Sequence, residues 1–304
     1  MRYAMFWEEF DMKRSVTPPE VVTDNCIRCG QCATVCPSFV IEMVNDMASV
    51  KRASWCVGCG HCAAVCPTEA VVFRNKSPQP QHLPEAGPAV SSERLERLLR
   101  ERRSVRNYTP DAVPQALLDR ILDAGRYAPT GTNSQNVHYA VLRSPEQISA
   151  LRAMTVRFYD TIFSRVRGTL GGWILSLIAG RRTVEYLREF LPKVEFVRKR
   201  MKEGRDPLFY HAPVLILAHA ESWDPCSSFN CSVALYHCSL VAHTLGVGCC
   251  FNGFLVNAAN HDRKIRERLA IPPDHRCYAA MTLGYQNVAY RRLVSRDPAR
   301  IAWR

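Results

Sequence analysis

The chain has 304 residues, 47% of them hydrophobic, and carries 40 Lys and Arg against 28 Asp and Glu for a net charge of +12. Its length points to two domains of unequal size with a real apolar core. Its basic residues are dispersed and match no nucleic-acid motif, so no nucleic-acid partner is expected.

Glu8, Glu9 and Asp11 stand where a signal peptide needs apolar residues. The most apolar run, residues 168–180, has 13 residues, against about 20 for a spanning helix. Neither export nor a membrane span is expected, and the run reads as a buried helix, a lid or an in-plane membrane contact. Fourteen cysteines without an export signal fit the reducing cytoplasm, where thiols serve metals rather than disulfides.

Residues 26–37, CIRCGQCATVCP, are matched thirty positions later by residues 56–67, CVGCGHCAAVCP. Both follow C-x2-C-x2-C-x3-C-P, the bacterial ferredoxin run. Three closely spaced thiolates can wrap three iron corners only where the backbone folds tightly, and the fourth ligand comes from elsewhere. In two-cluster proteins the distant cysteine of each run crosses over. That rule gives Cys26, Cys29, Cys32 and Cys66 for one 4Fe-4S cluster, and Cys56, Cys59, Cys62 and Cys36 for the other. Zinc is the competing metal, since CxxC pairs also build zinc knuckles, but it explains the doubled spacing with both prolines poorly. His61 and Trp55 read as packing or tuning residues, because sulfur fills every ligand place. No iron is left without a cysteine, so the clusters read as electron carriers.

The composition then shifts. Residues 75–88, NKSPQPQHLPEAGP, hold four prolines and read as a linker, which gives domains at 1–75 and 90–304 joined by 76–89. A helix capped by Ser91 or Ser92 places Leu95, Leu98 and Leu99 on one stripe and leads to the basic turn RRSVR. A second helix, about 114–127, carries Leu117, Leu118, Ile121 and Leu122 and ends at the loop APTGTNSQ. Residues 137–142 read as a strand, about 155–210 as a helical insertion, and 213–220 as a strand buried on both faces. Helices at about 230–245 and 257–269, the second capped by Asn257, flank the glycine-rich stretch LGVGCCFNGFL, and 277–285 is a last strand. Strands separated by helices imply an α/β or α+β layer structure.

RRSVRNY at 102–108, APTGTNSQ at 128–135, LGVGCCFNGF at 245–254 and LGY at 283–285 together resemble the nitroreductase family of FMN enzymes. The whole chain is similar to ferredoxin–nitroreductase fusions, which implies an α+β fold with a ferredoxin-like two-cluster domain and a central sheet flanked by helices. Three guanidiniums and a hydroxyl within five positions suit a phosphate dianion; by resemblance Arg102, Arg103, Ser104 and Arg106 hold the FMN phosphate and ribityl. In the companion loop, with Pro129 and Thr130, Gly131 lets backbone approach a flat ring, while Asn133 and Gln135 match a flavin pyrimidine edge. Asn136 stands where many members have proline. The resemblance puts a backbone N–H at flavin N5, on Asn252 or Gly253, and a phosphate-contacting arginine near the C-terminus, here Arg292. The glycine-rich stretch fails the dinucleotide fingerprint, because Phe251 stands where a third glycine is needed.

Cys226, Cys231, Cys238, Cys249, Cys250 and Cys277 read as small buried hydrophobes, and His211, His219, His237 and His243 as core or surface histidines rather than ligands. Two oxidised clusters and a flavin phosphate lower the loaded charge to about +6. The implied activity is reduction of a small organic acceptor of nitroaromatic, quinone or enone type by hydride or electron transfer from flavin. Electrons would come through the clusters from ferredoxin or another low-potential donor, or from NADH or NADPH. The alternative is an electron-carrier module serving another protein. Selection of substrate falls to residues 155–210, with Tyr159, Trp173, Tyr186 and Phe190, unless that insertion only packs a dimer. The resemblance also implies a homodimer with flavin at the subunit interface.

Overall fold

The computed structural model describes residues 16–74, 89–169, 173–174, 176–177 and 180–304. Glu8, Glu9, Asp11, nearly all of the Pro-rich linker and part of the apolar run at 168–180 lie outside the described residues. Two compact units emerge: residues up to Ala89 together with Gly131–Ser134, and Val90–Thr130 together with Gln135–Arg304.

In the first unit the sequence repeat becomes a structural one. Gly30 and Gly60 take left-handed φ of 72° and 80° and open two equivalent one-turn helices, α1 (Gln31–Thr34) and α2 (His61–Ala64), a conformation glycine adopts without steric cost. β1 (Glu20–Val21) pairs with β4 (Val71–Val72), and β2 (Ile41–Val44) forms a hairpin with β3 (Met47–Val50). Asn45 and Asp46, both at positive φ, make its two-residue turn, as the twist of tight hairpins requires. The apolar core is Val40, Ile41, Ala48, Val71 and Phe73 packed around the cysteines. So little apolar material leaves stability dependent on what those cysteines hold.

The second unit is built on one antiparallel four-stranded sheet of β5 (His138–Leu142), β6 (Val214–Glu221), β7 (Val247–Phe251) and β8 (His275–Tyr285), ordered β5-β6-β8-β7. Alternation along β6 divides the interior. Val214, Ile216, Ala218 and Ala220 enter the core shared with α4 (Gln115–Gly125) and α7 (Ser227–Thr244), whereas Leu215 and Leu217 enter the opposite one. That second core is covered by α5 (Pro145–Arg167), α8 (Gly253–His261) and α9 (Arg263–Arg268). The strand is therefore apolar throughout because helices cover both faces.

Three expectations change. The glycine-rich 247–251 segment is a strand, paired with β8 from Val247↔Tyr285 to Phe251↔Met281. The helix expected at 257–269 is two helices, capped by the side chains of Asn252 and Asp262 rather than Asn257. The Ser91-capped helix α3 (Ser92–Glu101) forms, but none of its residues is buried, and Leu95 and Leu99 stay exposed. In the 155–210 stretch, α5 meets α6 (Arg181–Lys202) through the Asp160–Arg198 ion pair at 2.6 Å. No helix among the described residues is long and apolar enough to cross a membrane.

Candidate functional site

The eight repeat cysteines sort into two cavities. One is lined by Cys26, Cys29, Cys32 and Cys66, the other by Cys36, Cys56, Cys59 and Cys62. This is the crossed partition expected from the ferredoxin spacing. Each one-turn helix ends two residues before the fourth cysteine of its run, which lines the opposite cavity.

The donor chemistry fits sulfur-ligated iron. Val40 N–H donates to Cys36 Sγ at 3.2 Å and Ala70 N–H to Cys66 Sγ at 3.1 Å, so each crossing cysteine receives the same backbone hydrogen bond in the two halves. Such N–H···S bonds favour the thiolate and tune cluster potential. Burial alone would raise the Cys66 thiol, yet the hydrogen bonds from Thr68, Ala70 and Val71 outweigh it and lower its pKa. Cys62 behaves oppositely, pushed up to about 12 by burial and by Cys59, Cys36 and Cys56 around it. A cation bound among these sulfurs would deprotonate the Cys62 thiol as it binds. His61 lines the second cavity, while Trp55 is exposed beneath the Arg52 guanidinium at 5.2 Å; sulfur lines both cages without them.

In the second unit, Arg102, Arg103, Arg291 and Arg292 line one cavity of about 370 Å3 together with Val105, His243, Gly248, Cys249 and Tyr290, within the size range of small-ligand sites. The segment after α3 is docked on β7 by Val105 N–H to Cys249 O at 2.9 Å, with Ser104 bridged to Cys249. This brings the basic turn and the C-terminal arginines together across nearly two hundred residues. The Nε atoms of Arg102 and Arg103 are buried and have no protein acceptor. Buried donors of this kind are costly unless an anion completes them.

Glycine is required at 248 by this docking. A Cβ there would come within 2.7 Å of Val105 Cγ2 and 2.9 Å of Val105 Cβ. Gly248→Ala is expected to push the 104–105 segment off β7 and cost about 1–3 kcal/mol. Thermal unfolding of the variant against the parent measures it.

Not every expected residue reaches the cavity. Arg106 instead sits beside Cys250 and Tyr210. Pro129, Thr130 and Gln135 are not among the lining residues. The 128–135 loop is nonetheless unusual in itself: Thr132, Asn133 and Gln135 have φ of 50°, 55° and 48°, and Thr130 Oγ1 accepts the Gln135 N–H at 3.1 Å. A β-branched residue at positive φ is a backbone outlier of the sort found at ligand sites. Asn252 is corrected as the N5 donor, because its backbone N–H already donates to Ala280 O at 2.8 Å. Its side chain is also engaged, donating to Leu208 O and accepting from Leu255 N–H. Gly253, which opens α8, remains, at a position whose N–H has no intrahelical acceptor.

The insertion meets this turn through Tyr159. Its hydroxyl donates to Phe254 O at 3.1 Å, and its ring packs edge-on against Phe254 at 5.4 Å. Tyr186 and Phe190 pack on one another at 4.7 Å, and Trp173 is exposed. Of the remaining cysteines, all but Cys226 are buried, and burial lifts the Cys249 thiol to about 11. The five buried ones are packed hydrophobes, as their type suggests, whereas Cys226, expected to be buried too, is only partly covered.

The family model described as the nitroreductase family matches residues 99–285. This chain belongs to the nitroreductase family. A 4Fe-4S dicluster domain matches residues 20–73 of the same nitroreductase, which makes its metal centres two 4Fe-4S clusters rather than zinc. A 4-nitrobenzoate reductase from Nocardioides sp. (strain LMS-CY) is 26% identical over 213 residues, covering 67% of this chain and 84% of that protein. Among solved structures, a nitroreductase with bound FMN from Desulfitobacterium hafniense DCB-2 is similar with a TM-score of 0.51 and 19% identity, over 68% of this chain and 97% of that one. An iodotyrosine deiodinase bound to FMN and 3-iodo-L-tyrosine is similar with a TM-score of 0.50 and 19% identity, over 69% and 98% of the two chains. These likenesses establish a shared α+β fold, and family membership makes the chain an oxidoreductase.

Proposed function

We propose that this nitroreductase is an FMN enzyme that draws electrons through its two 4Fe-4S clusters and reduces a small organic acceptor of nitroaromatic, quinone or enone type. The observation that carries the reading is the arginine-lined cavity with its two buried, unpartnered Nε donors, the demand of a phosphate dianion. FMN, when bound, supplies the conversion between the single electrons of clusters and two-electron reduction of an organic molecule. Arg102, Arg103 and Arg292 hold its phosphate, with Ser104 and Arg106 along the ribityl. By the resemblance, Pro129, Thr130, Gly131, Asn133 and Gln135 of the 128–135 loop would hold the ring. Gly253 N–H would be the donor to N5.

The domains are 1–75 for the clusters and 90–304 for the flavin, with 76–89 as linker. Acceptor selection falls to the 155–210 helices, where Tyr159 touches Phe254 beside Gly253. A homodimer is supported by apolar side chains that one chain leaves uncovered: Leu95 and Leu99 on α3, Phe229 on α7, and Ile301 and Trp303 in the irregular C-terminal segment.

Anaerobic reduction of purified protein by reduced ferredoxin, NADH and NADPH, each with 4-nitrobenzoate or a quinone as acceptor, tests the reading. Cluster and flavin bleaching with reduced ferredoxin, followed by steady acceptor turnover, is expected. Electron delivery only to a protein partner, with no turnover of any small acceptor, would make the chain a carrier instead.

A further inference from the structure

Three neighbouring strands of the sheet place histidines and a carboxylate at one end. β5 opens on His138, β6 ends with His219 and Glu221, and β8 opens on His275. The register sets His138 opposite His219 and Glu221 opposite His275. Directly paired residues, and residues two apart on a strand, share a face, so all four belong to one side of the sheet. A register shift between Ala218 and His219 is what achieves this. Without it Glu221 would oppose Arg276, and His275 would turn to the other face.

The geometry is that of a ligand set. One ligand atom from each of His138, Glu221 and His275 lies within 4.8 Å of the other two. The imidazole of His138 is 5.6 Å from that of His219 and 5.0 Å from that of His275, centroid to centroid. His219 Nδ1 lies 2.9 Å from His275 Nδ1, so one ring donates a proton to the other. The Nδ1 of His219 is placed to accept that proton. With His275 as donor, its other ring nitrogen keeps a lone pair. That is the support metal-bound imidazoles ordinarily receive through their second nitrogen.

The carboxylate is also held. Asn136 Nδ2 donates to Glu221 Oε2 at 3.0 Å and to Asp224 Oδ2 at 2.8 Å, and Asn230 Nδ2 donates to Asn136 Oδ1 at 3.0 Å. Asn136 is the position at which this chain departs from the proline of the family resemblance, and proline could make none of these bonds. None of these residues lines the arginine cavity or a cysteine cage.

We propose that His138, Glu221 and His275 form a binding site for a divalent transition-metal ion of the zinc class, with His219 and Asn136 positioning its ligands. Two imidazoles and a carboxylate suit such an ion, and three protein ligands leave a fourth place for water. His138 is exposed, which gives the ion a way in.

The test uses full-length protein with iron and flavin loaded, washed with a mild chelator and dialysed against zinc alone. Retained metal is counted by mass spectrometry, and the zinc environment is read by X-ray absorption. One zinc per chain in addition to the iron is expected, with nitrogen and oxygen neighbours at about 2.0–2.2 Å. His138→Ala and Glu221→Gln are each expected to weaken zinc at least about tenfold with iron content unchanged; His138 is exposed, and Glu221→Gln is isosteric. The proposal is overturned by no retained zinc, by equal retention in the parent and both variants, or by sulfur neighbours near 2.3 Å, which would move the ion to cysteines.

Discussion

Cys66→Ala is expected to remove about four of the roughly eight irons per chain, and the cluster lost is the one held by Cys26, Cys29 and Cys32, although Cys66 belongs to the other run. The cavity lining carries this assignment, because Cys66 shares a cage with the first run's leading three cysteines and Cys36 with the second run's. Both crossing thiols receive a backbone N–H from the residue four positions on, so neither can swing back to its own run without breaking that bond. Single variants alone do not reveal the crossing, since Cys36→Ala also halves the iron.

Pairs of substitutions do. Cys66→Ala combined with Cys29→Ala strikes one cluster twice and is expected to lose no more iron than either alone. Cys66→Ala combined with Cys59→Ala strikes both and is expected to leave almost none. Iron analysis with electron paramagnetic resonance of the reduced protein reads the outcome. If the Cys66/Cys29 pair removes all the iron while the Cys66/Cys59 pair removes half, each run holds its own cluster and the crossed assignment fails. The core of this unit is small enough that loss of one cluster should also lower its unfolding temperature.

The sequence made this partition legible because a repeat at a fixed thirty-residue offset constrains two halves at once. The second unit was legible where periodicity is strong. The run 213–220 announced a strand buried on both faces, and β6 is that strand. It was not legible at LGVGCC, where two glycines obscure a strand. Only the structure shows that Gly248 makes room for Val105.

Asn252 failed for a related reason. A residue type says nothing about whether its backbone N–H is already spent on a neighbouring strand. The histidine nest was illegible altogether, because His138, Glu221 and His275 are far apart in the chain and meet only through a register shifted by one residue. Single histidines gave no signal, and periodicity within one strand could not supply one.

Arg102→Ala is expected to weaken FMN roughly ten- to hundredfold, the loss of about 1.5–3 kcal/mol for a charge-assisted hydrogen bond. Among the cavity's arginines it is the best placed for this role. Its Nε is buried without a protein acceptor, and its guanidinium lies 5.8 Å from the Tyr236 ring, which holds it in place. Arg103 is partly committed elsewhere, since its Nη1 donates to Arg100 O at 2.6 Å and Arg102 O at 2.9 Å at the end of α3. Arg103→Ala should therefore cost fold stability as well as FMN affinity.

Arg292→Ala should have a smaller effect, because Arg291 lines the same cavity and can take up part of the charge. Riboflavin, which lacks the phosphate, separates binding from folding. Its affinity should be nearly equal in the parent and Arg102→Ala proteins, whereas FMN affinity should fall, and Arg102→Lys should restore only part of the loss because an ammonium lacks the planar fork. Fluorescence titration of flavin-stripped protein measures all of these. Equal weakening of riboflavin and FMN by Arg102→Ala would mean that the arginines organise the turn rather than hold a phosphate, and the flavin would then have to be anchored away from this cavity.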